Sequence, residues 1–502
     1  MTFRGISEDS TPFYSTPQSQ NLMEFRGVRC TASYAQERIW IDEHVRSKSG
    51  QKDVLAIYNI PILFKITSDN VSIEKLRHSL LLVIEKHSTL RTALKYDQNE
   101  ECLMQTVKPM TFGHDLYKFQ ISKIRCREEL EHILFDEETN GTYFDLANGI
   151  VFRCHVVRMV SDIDDDDPAA LNARINDYIL FNFHHVAYDG NSLDLFLTDL
   201  ESAYDSKKLQ PPSWNYIDYS AFERQTDMTN AEEFWKLSLS DYETGNDWLP
   251  CHCRKSEKRT LQGSFVRFEL DENITEQMLQ YALKARVSMF QLCITCYYIF
   301  LFKLSNGETD QCVGTVNVNR YRPELQSIVG MFVNLLPYRM KLDPTWSFEH
   351  TLLQVQNLCL EVLQYAHVPY QKIIQLHGLT GGKHLPYLTT FFQFESALSK
   401  SETTLDNAIV SLVSTKDISF GKNVALFDLL LGIKSDSRLN TLQCSIDYST
   451  DSFDRKTIEI MCDRFCVMLQ QLFGSSSLNS ATLKQTPICE LSILLPYEIN
   501  LL

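Results

Sequence analysis

Residues 177–204 read DYILFNFHHVAYDGNSLDLFLTDLESAY and contain, in order, a strand, a tight loop and a helix. Side chains alternate between the two faces of a strand, which separates the first part of this segment into two sets. One face carries Ile179, Phe181, Phe183 and His185, and the other carries Tyr178, Leu180, Asn182 and His184. The two adjacent histidines therefore project to opposite sides. We expect one of them to face a cleft and the other to pack inside.

The loop after the histidines carries turn and helix-start signals. Asp189-Gly190 predicts a turn, and Asn191 or Ser192 is suited to cap the helix that follows. The apolar residues of that helix fall on one face: Leu193, Phe196, Leu197, Leu200 and Tyr204.

The same segment suits acyl transfer, in which an amine or a hydroxyl attacks a carbonyl. It places an imidazole at the end of a rigid strand, with the Asp189 carboxylate four residues after His185. Gly190 has no side chain, so we expect the backbone there to approach a ligand closely. The amides at the helix start are expected to face negative charge that develops during the reaction.

Helical and strand-like patterns interleave in both halves of the chain. Helical periodicity covers residues 73–87, 193–204, 274–304, 348–366 and 456–473. Strand-like runs cover residues 58–66, 150–160, 178–185, 312–317, 388–394 and 442–448. This order predicts an α+β or α/β chain made of two comparable lobes.

The composition excludes several classes of protein. The 502 residues include 48 Lys and Arg against 64 Asp and Glu, a formal net charge of −16, which argues against nucleic acid as the main partner. The apolar fraction of 44% is typical of a globular chain and excludes overall disorder. The longest apolar run, residues 290–302, is shorter than the roughly 20 apolar residues of a membrane-spanning helix and predicts a buried core helix.

No metal or bound cofactor is predicted. The cluster Cys251-His252-Cys253 has neither the spacing nor the second ligand pair of a zinc site. The Asp-rich residues 161–168 are expected to form a solvated loop, and LTGGK at residues 379–383 is a loop signal. The first residues show no secretory signal, so the 14 cysteines predict reduced thiols and a cytoplasmic protein.

The string His184-His185-x-x-x-Asp189-Gly190 resembles the signature of condensation domains of nonribosomal peptide synthetases, in the chloramphenicol acetyltransferase-like superfamily. Further segments resemble motifs of that family in the family's order: residues 33–40 (SxAQxRLW), 86–92 (RHExLRT), 216–219 (YxDY), 329–334 (IGxFVN), 367–370 (HQDxPFE) and 427–429. Two segments depart from the pattern. Ser88 replaces a glutamate, and two residues are lacking between His367 and Pro369.

The resemblance implies two chloramphenicol acetyltransferase-like lobes in a V with a central tunnel. It also implies a division of the chain. Residues 29–215 are then the N-terminal lobe, 216–480 the C-terminal lobe, and 481–502 a linker resembling the one between condensation and adenylation domains. Residues 1–28 are rich in Ser, Thr, Gln and Pro and show no periodicity, which predicts a flexible tail.

The resemblance also assigns roles to residues. His185 is the catalytic histidine, either a positioner of the attacking amine, which we favour, or an obligate general base. Asp189 is expected to form an ion pair with Arg320, next to Asn319 in place of the family's usual glycine. His184 is expected to be structural, and Asn334 either orients substrate or is a structural amide.

The implied reaction is amide bond formation between an acyl or peptidyl thioester and an aminoacyl thioester. Both would be carried on phosphopantetheine arms by an upstream and a downstream carrier protein. Residues 490–498 resemble the linker that leads into an adenylation domain, which implies such a domain as a further partner.

Three alternatives stay open. An epimerization domain shares the His-rich string, but the adenylation-type linker favours condensation. A free-standing acyltransferase would carry a DFGWG segment, which this sequence lacks. A non-catalytic carrier-binding scaffold is disfavoured by the intact His185. A heterocyclization domain is not favoured, because its family replaces the histidines by aspartate.

Overall fold

The computed structural model describes residues 28–47, 56–111, 116–160, 171–244, 249, 260–379, 385–396, 400–413, 424–436, 441–474 and 485–499. Four predictions fall mainly outside these residues. They are the flexible tail at residues 1–28, the Asp-rich loop at 161–168, the cluster at 251–253 and the loop signal at 379–383.

Two six-stranded mixed sheets organise the fold. The strands are β1 Arg29–Thr31, β2 Asn59–Ser68, β3 Val71–Ser72, β4 Thr92–Asp97, β5 Cys102–Val107, β6 Lys118–Ile124, β7 Phe152–Met159, β8 Asn172–Ala173, β9 Tyr178–His184, β10 Gly263–Glu269, β11 Asp310–Asn317, β12 Asn334–Lys341, β13 Thr390–Ser396, β14 Glu402–Leu405, β15 Ala408–Leu412, β16 Leu429–Asp436 and β17 Thr441–Ser449. The first sheet has the strand order β14-β15-β2-β9-β7-β6, and the second has the order β10-β17-β16-β13-β11-β12. A three-stranded sheet, β1-β5-β4, and a pair, β3-β8, complete the strands of the described residues.

Helices flank both sheets, so the architecture is mixed α and β, as the interleaved pattern predicts. The α-helices are α1 Tyr34–Ser47, α2 Ile73–Lys86, α3 Arg127–Thr139, α4 Ser192–Tyr204, α5 Tyr216–Gln225, α6 Thr229–Ser238, α7 Glu272–Ala285, α8 Met289–Leu304, α9 Phe348–Gln364, α10 Tyr370–Gln375, α11 Arg455–Phe473 and α12 Pro496–Ile499. Short 3-10 helices lie at Ser88–Arg91, Leu146–Asn148, His185–Ala187, Pro323–Ser327 and Ile488–Glu490.

The single helix predicted over residues 274–304 is wrong, because the chain forms two helices, α7 and α8, at 110° to each other. Arg286 takes a left-handed conformation with φ 57° and ends α7. Ser288 then caps α8, since its side chain accepts from the amide of Gln291 while the Gln291 side chain accepts from the Ser288 amide. This reciprocal capping box starts a new helix inside a continuous helical pattern.

Each six-stranded sheet has its own core. The first core packs β2, β7 and β9 against α2 and α4. The second core is built around α8, whose residues from Leu292 to Phe302 are all buried, as predicted for this apolar run. Within the described ranges no single helix is long and apolar enough to cross a membrane, although the bent pair α7–α8 passes the same test of length and composition.

The two halves of the chain are interlaced. Strands β14 and β15 come from the C-terminal half but extend the first sheet, with β15 antiparallel to β2. Val329 and Met331 also pack into the first core. The predicted division near residue 215 does not account for these crossings.

Gly330 lies between Val329 and Met331, in a crossing segment at residues 329–332, and packs tightly against Tyr216 of α5. A Cβ atom on Gly330 would lie 2.2 Å from Cδ2 of Tyr216. The Tyr216 ring cannot move away freely, because it is buried, its hydroxyl donates to the Met331 carbonyl, and Ser33 Oγ lies 2.7 Å from that hydroxyl.

We therefore expect Gly330→Ala to lower the free energy of unfolding by about 1–3 kcal/mol, the usual cost of overpacking a filled site. Urea unfolding followed by tryptophan fluorescence measures this change. Gly141→Ala is the matched control, because a Cβ there meets no heavy atom within 4 Å. Equal stability of the two variants would contradict the tight contact.

Candidate active site

His185 lies where β9 ends and the chain turns into a short 3-10 helix. Its backbone amide donates to the Tyr58 carbonyl at 2.8 Å, and its Nδ1 lies 2.8 Å from the Tyr188 carbonyl oxygen. A carbonyl oxygen only accepts, so Nδ1 carries the proton and the neutral ring has its lone pair on Nε2. The side chain is half-buried. The loop geometry therefore fixes one tautomer, with Nε2 as a hydrogen-bond acceptor.

The surroundings of His185 keep the ring neutral. Burial is the largest cause and lowers the pKa of His185 to about 4. The hydrogen bond to Tyr188 opposes this effect, whereas the positive charge of Arg38 adds to it. At neutral pH the imidazole is therefore an uncharged acceptor.

His184 projects to the other face of β9 and is buried. Its Nε2 lies 2.9 Å from Glu43 Oε1, and its Nδ1 accepts from the Val186 amide at 3.2 Å. The Phe144 ring packs edge-on against it at 5.4 Å between centroids. Both ring nitrogens have partners, which agrees with the prediction that one of the two histidines packs inside.

Asp189 and Arg320 form the predicted ion pair. Arg320 Nη2 lies 3.0 Å from Oδ1 and 3.3 Å from Oδ2 of Asp189, and the Asp189 side chain is fully buried. The Phe332 amide donates to Oδ2 at 3.1 Å, and the Ser192 hydroxyl donates to Oδ1 at 2.8 Å. Asp189 thus uses both oxygens to hold the loop after His185 against the crossing segment.

Arg320 is fixed as firmly as its partner. Its Nη1 donates to the carbonyl oxygens of Leu325 at 2.7 Å and Ile328 at 2.6 Å. Its guanidinium carbon lies 4.2 Å from the centre of the Phe332 ring, a cation–π contact. The buried ion pair of Asp189 and Arg320 therefore has a structural role beside His185.

The expected helix cap is wrong in detail. Asn191 is the N-cap residue of α4, but its side chain makes no capping hydrogen bond. The Ser192 hydroxyl donates to Asp189 instead, and Ser192 Oγ accepts from the Gly330 amide at 3.1 Å. The amides of Ser192 and Leu193 donate to the Asp189 and Gly190 carbonyls, so these helix-start amides do not face developing negative charge as expected.

Gly190 is exposed, and a Cβ there would meet no heavy atom within 4 Å among the described residues. The space beside it is open, so the expected approach of a ligand to this backbone stays a prediction.

Asn334 is fully used by the protein backbone. Its Nδ2 donates to the carbonyls of Ala366 at 2.9 Å and Val368 at 2.7 Å. Its Oδ1 accepts from the amides of Tyr370 at 3.1 Å and Leu335 at 3.0 Å. Of the two roles considered for it, this geometry favours the structural amide over a substrate contact.

Two charged residues near the site were not singled out from the sequence. Arg38 belongs to the segment that resembles SxAQxRLW, and its Nη2 donates to the Val333 carbonyl at 3.2 Å. Glu223 on α5 accepts from the Tyr34 amide and the Tyr219 hydroxyl, and burial raises the pKa of Glu223. Both line a small pocket together with Asn319, Val333 and His367. The sequence offers a signal for Arg38, which lies in a recognisable motif, but offers none for Glu223.

The family model described as "Condensation domain" matches residues 29–490. Bacitracin synthase 1 of Bacillus licheniformis is 24% identical over 460 residues, which are 88% of this chain and 8% of that synthase. Malpinin synthetase of Mortierella alpina is 25% identical over 438 residues, 85% of this chain and 5% of that protein. The chain thus spans less than a tenth of the length of these relatives.

Solved structures share the fold. The X-domain from teicoplanin biosynthesis superimposes with a TM-score of 0.76 at 18% identity, covering 93% of this chain and 98% of that one. A four-domain nonribosomal peptide synthetase gives a TM-score of 0.77 at 17% identity, covering 94% of this chain and 34% of that one. With the family match over most of its length, this chain belongs to the condensation domain family, whose general function is amide bond formation.

Proposed function

We propose that this chain joins two carrier-bound thioesters by an amide bond. The donor is an acyl or peptidyl thioester on the phosphopantetheine arm of an upstream carrier, and the acceptor is an aminoacyl thioester on a downstream carrier. The observation that carries the proposal is the fixed tautomer of His185, which directs an unprotonated Nε2 away from the Tyr188 carbonyl. Metal and bound cofactor have no part in the proposed reaction.

His185 Nε2 accepts a hydrogen bond from the acceptor amine and aims the nitrogen lone pair at the donor carbonyl carbon. The C–N bond forms and the C–S bond of the donor thioester breaks. The amine loses one proton, and the upstream pantetheine leaves as a thiol that carries a proton.

A positioning role for His185 fits its environment better than an obligate base. The α-amine has a reference pKa of about 7.7–8.0, far above the pKa of about 4 that burial gives His185. A base this weak removes a proton poorly, because catalytic bases work best with a pKa near the operating pH. Holding two reactants in place supplies effective molarities of about 10⁵ M or more, which suits a histidine that orients.

The pKa shift predicts a specific pH profile. Because the pKa of His185 is lowered from its ordinary 6.5 to about 4, its acceptor form is complete at neutral pH and is lost only as the pH falls through 4. Between about pH 6 and pH 8 the rate should therefore rise only with the neutral fraction of the amine. Single-turnover transfer between loaded carriers measures this. An additional inflection near pH 6.5 that disappears in His185→Gln would contradict the neutral histidine.

The function is tested by incubating the full chain with two loaded carrier proteins and following both by mass spectrometry. Transfer of the donor group onto the downstream aminoacyl carrier supports condensation. Transfer from a soluble thioester to a free amine, with no carrier requirement, would point to a free-standing acyltransferase. Inversion of an aminoacyl group without transfer would point to epimerization.

A carrier-binding scaffold is the second candidate. One comparison supports a partner-binding role for this fold, since an X-domain solved in a complex with OxyB from teicoplanin biosynthesis shares it with a TM-score of 0.75. A scaffold would retain the carriers in a binding assay but transfer nothing, which the same experiment detects.

We also propose the division into lobes at residues 29–215 and 216–480, with 481–502 as the linker. In this division β14 and β15 belong by sequence to the second lobe but cross over to extend the sheet of the first. The described part of that linker packs on the second lobe, where Ile488, Leu491 and Ile493 join its core. Arg464 Nη2 on α11 lies 2.8 Å from Glu498 Oε1 on α12. These contacts support a docked linker, beyond which an adenylation domain is the proposed neighbour.

A further inference from the structure

A second cluster of titratable and nucleophilic side chains lies under α3, on one face of the first sheet. Ser122 stands on the edge strand β6, His155 on the neighbouring strand β7, and Glu137 on α3. Ser122 Oγ lies 2.6 Å from His155 Nε2, and His155 Nδ1 lies 3.0 Å from Glu137 Oε1. A hydroxyl, an imidazole and a carboxylate thus form one continuous hydrogen-bonded chain.

The carboxylate end of this chain is held rigidly. Arg153 Nε lies 3.1 Å from Glu137 Oε2 and its Nη2 lies 3.0 Å from Oε1, so the guanidinium binds both oxygens. Asn182 on β9 donates to Oε2 at 2.8 Å. Burial alone would raise the pKa of Glu137, but the hydrogen bonds from His155, Arg153 and Asn182 hold it at about 2. Glu137 is therefore an ionised acceptor at neutral pH.

An ionised carboxylate sets the tautomer of the histidine. Nδ1 of His155 carries a proton and donates it to Glu137, which leaves Nε2 to accept the hydroxyl proton of Ser122. This is the arrangement in which a histidine activates a serine, with the base oriented by a third group.

Ser122 is more exposed than His155 and Glu137, as a nucleophile that meets an external substrate must be. Glu137 is 1% exposed and His155 is 3% exposed, whereas Ser122 is half-buried on the edge strand. Its neighbours Gln120 and Lys123 are exposed. A small reagent can therefore reach the hydroxyl while the base and the acid stay shielded from water.

We propose that Ser122 is a nucleophile at a site separate from His185, activated by His155 and Glu137, which accepts the acyl group of a small activated thioester or ester. Ser122 Oγ attacks the carbonyl carbon while His155 Nε2 takes the hydroxyl proton. The C–S or C–O bond of the substrate breaks, and the leaving thiol or alcohol takes that proton. His155 Nε2 then takes a proton from a water molecule, whose oxygen attacks the acyl carbon. The bond from that carbon to Ser122 Oγ breaks, Oγ takes the proton back from His155, and a carboxylic acid is released.

Two covalent probes test the proposal on the full chain. A fluorophosphonate and the acetyl thioester of N-acetylcysteamine are each incubated with the protein, and adducts are mapped by mass spectrometry. We expect an adduct on Ser122 that is absent in Ser122→Ala and forms roughly 10²-fold more slowly in His155→Gln. Ser238→Ala is the matched control, since Ser238 is half-buried but donates its hydroxyl to the Phe234 carbonyl. This control should label as the unmodified chain does.

A third variant keeps His155 in place, so that the proposal can still be tested if His155→Gln does not fold. Ser122→Cys places a thiol against the same imidazole, and we expect iodoacetamide to alkylate it at least about tenfold faster than the exposed Cys126 of the same chain. A network that only anchors α3 to the sheet would give no Ser122 adduct and ordinary reactivity of this thiol. Either result would overturn the proposal, as would an adduct confined to other residues.

Discussion

We expect His185→Ala to lower the rate of amide bond formation by about 10- to 10³-fold, with carrier binding unchanged. The substitution removes the Nε2 acceptor that orients the amine. It leaves the support of the loop in place, because Asp189 and Arg320 hold that loop through contacts that do not involve the imidazole. The rate constant is measured in single turnovers between two loaded carriers, and carrier affinity is measured separately.

Two further variants make this result specific. His185→Gln keeps an acceptor oxygen and should recover part of the lost rate if His185 acts by positioning, whereas an obligate base would not be replaced by an amide. His78→Ala is the control, since His78 is exposed on α2, and it should condense at the unmodified rate. Unchanged transfer in His185→Ala would remove His185 from the proposed mechanism.

Asp189→Ala should have the largest effect on stability, a loss of about 3–5 kcal/mol in the free energy of unfolding. It removes the only carboxylate that Arg320 contacts within the described residues and leaves a buried guanidinium without a counter-charge. The Phe332 amide and the Ser192 hydroxyl also lose their acceptor. Activity should fall with the folded fraction, because these contacts hold the loop that follows His185.

Urea unfolding measures this loss, with Asp205→Ala as the control. Asp205 pairs with the exposed Lys207 at 2.9 Å, and a surface pair of this kind contributes only about 0–1 kcal/mol. The double variant Asp189→Ala/Arg320→Leu removes both charges and should recover part of the stability. A fully stable but inactive Asp189→Ala would instead assign Asp189 to the chemistry.

The parts of the fold that the sequence predicts are those with local signals. The strand, loop and helix of residues 177–204 form as expected, because alternation and helical spacing are read within one segment. The break between α7 and α8 is different, since it depends on the backbone conformation of Arg286, which the apolar pattern does not encode. The pairing of β15 with β2 joins segments more than 330 residues apart, and no local pattern carries that information.

The candidate site also contains some features that the sequence predicts and others that it does not. The pairing of Asp189 with Arg320 is predicted by family resemblance, because both positions lie in recognisable segments. The roles of Ser192 and Asn334 depend instead on backbone groups of distant loops, such as the Gly330 amide and the Val368 carbonyl. Every residue supplies the same backbone groups, so the sequence gives no sign of which ones a side chain will meet.

The crossing strands β14 and β15 also set an order for synthesis on the ribosome. The first sheet lacks its outer strands until residue 412 has been made, long after β9 is complete. At about 5–20 residues per second, the roughly 230 residues from 184 to 412 take on the order of 10–45 s to translate. During that interval β2 is an open edge that can pair with other nascent chains. Expression of residues 29–215 alone would make this transient exposure permanent, so such a fragment should aggregate where the whole chain does not.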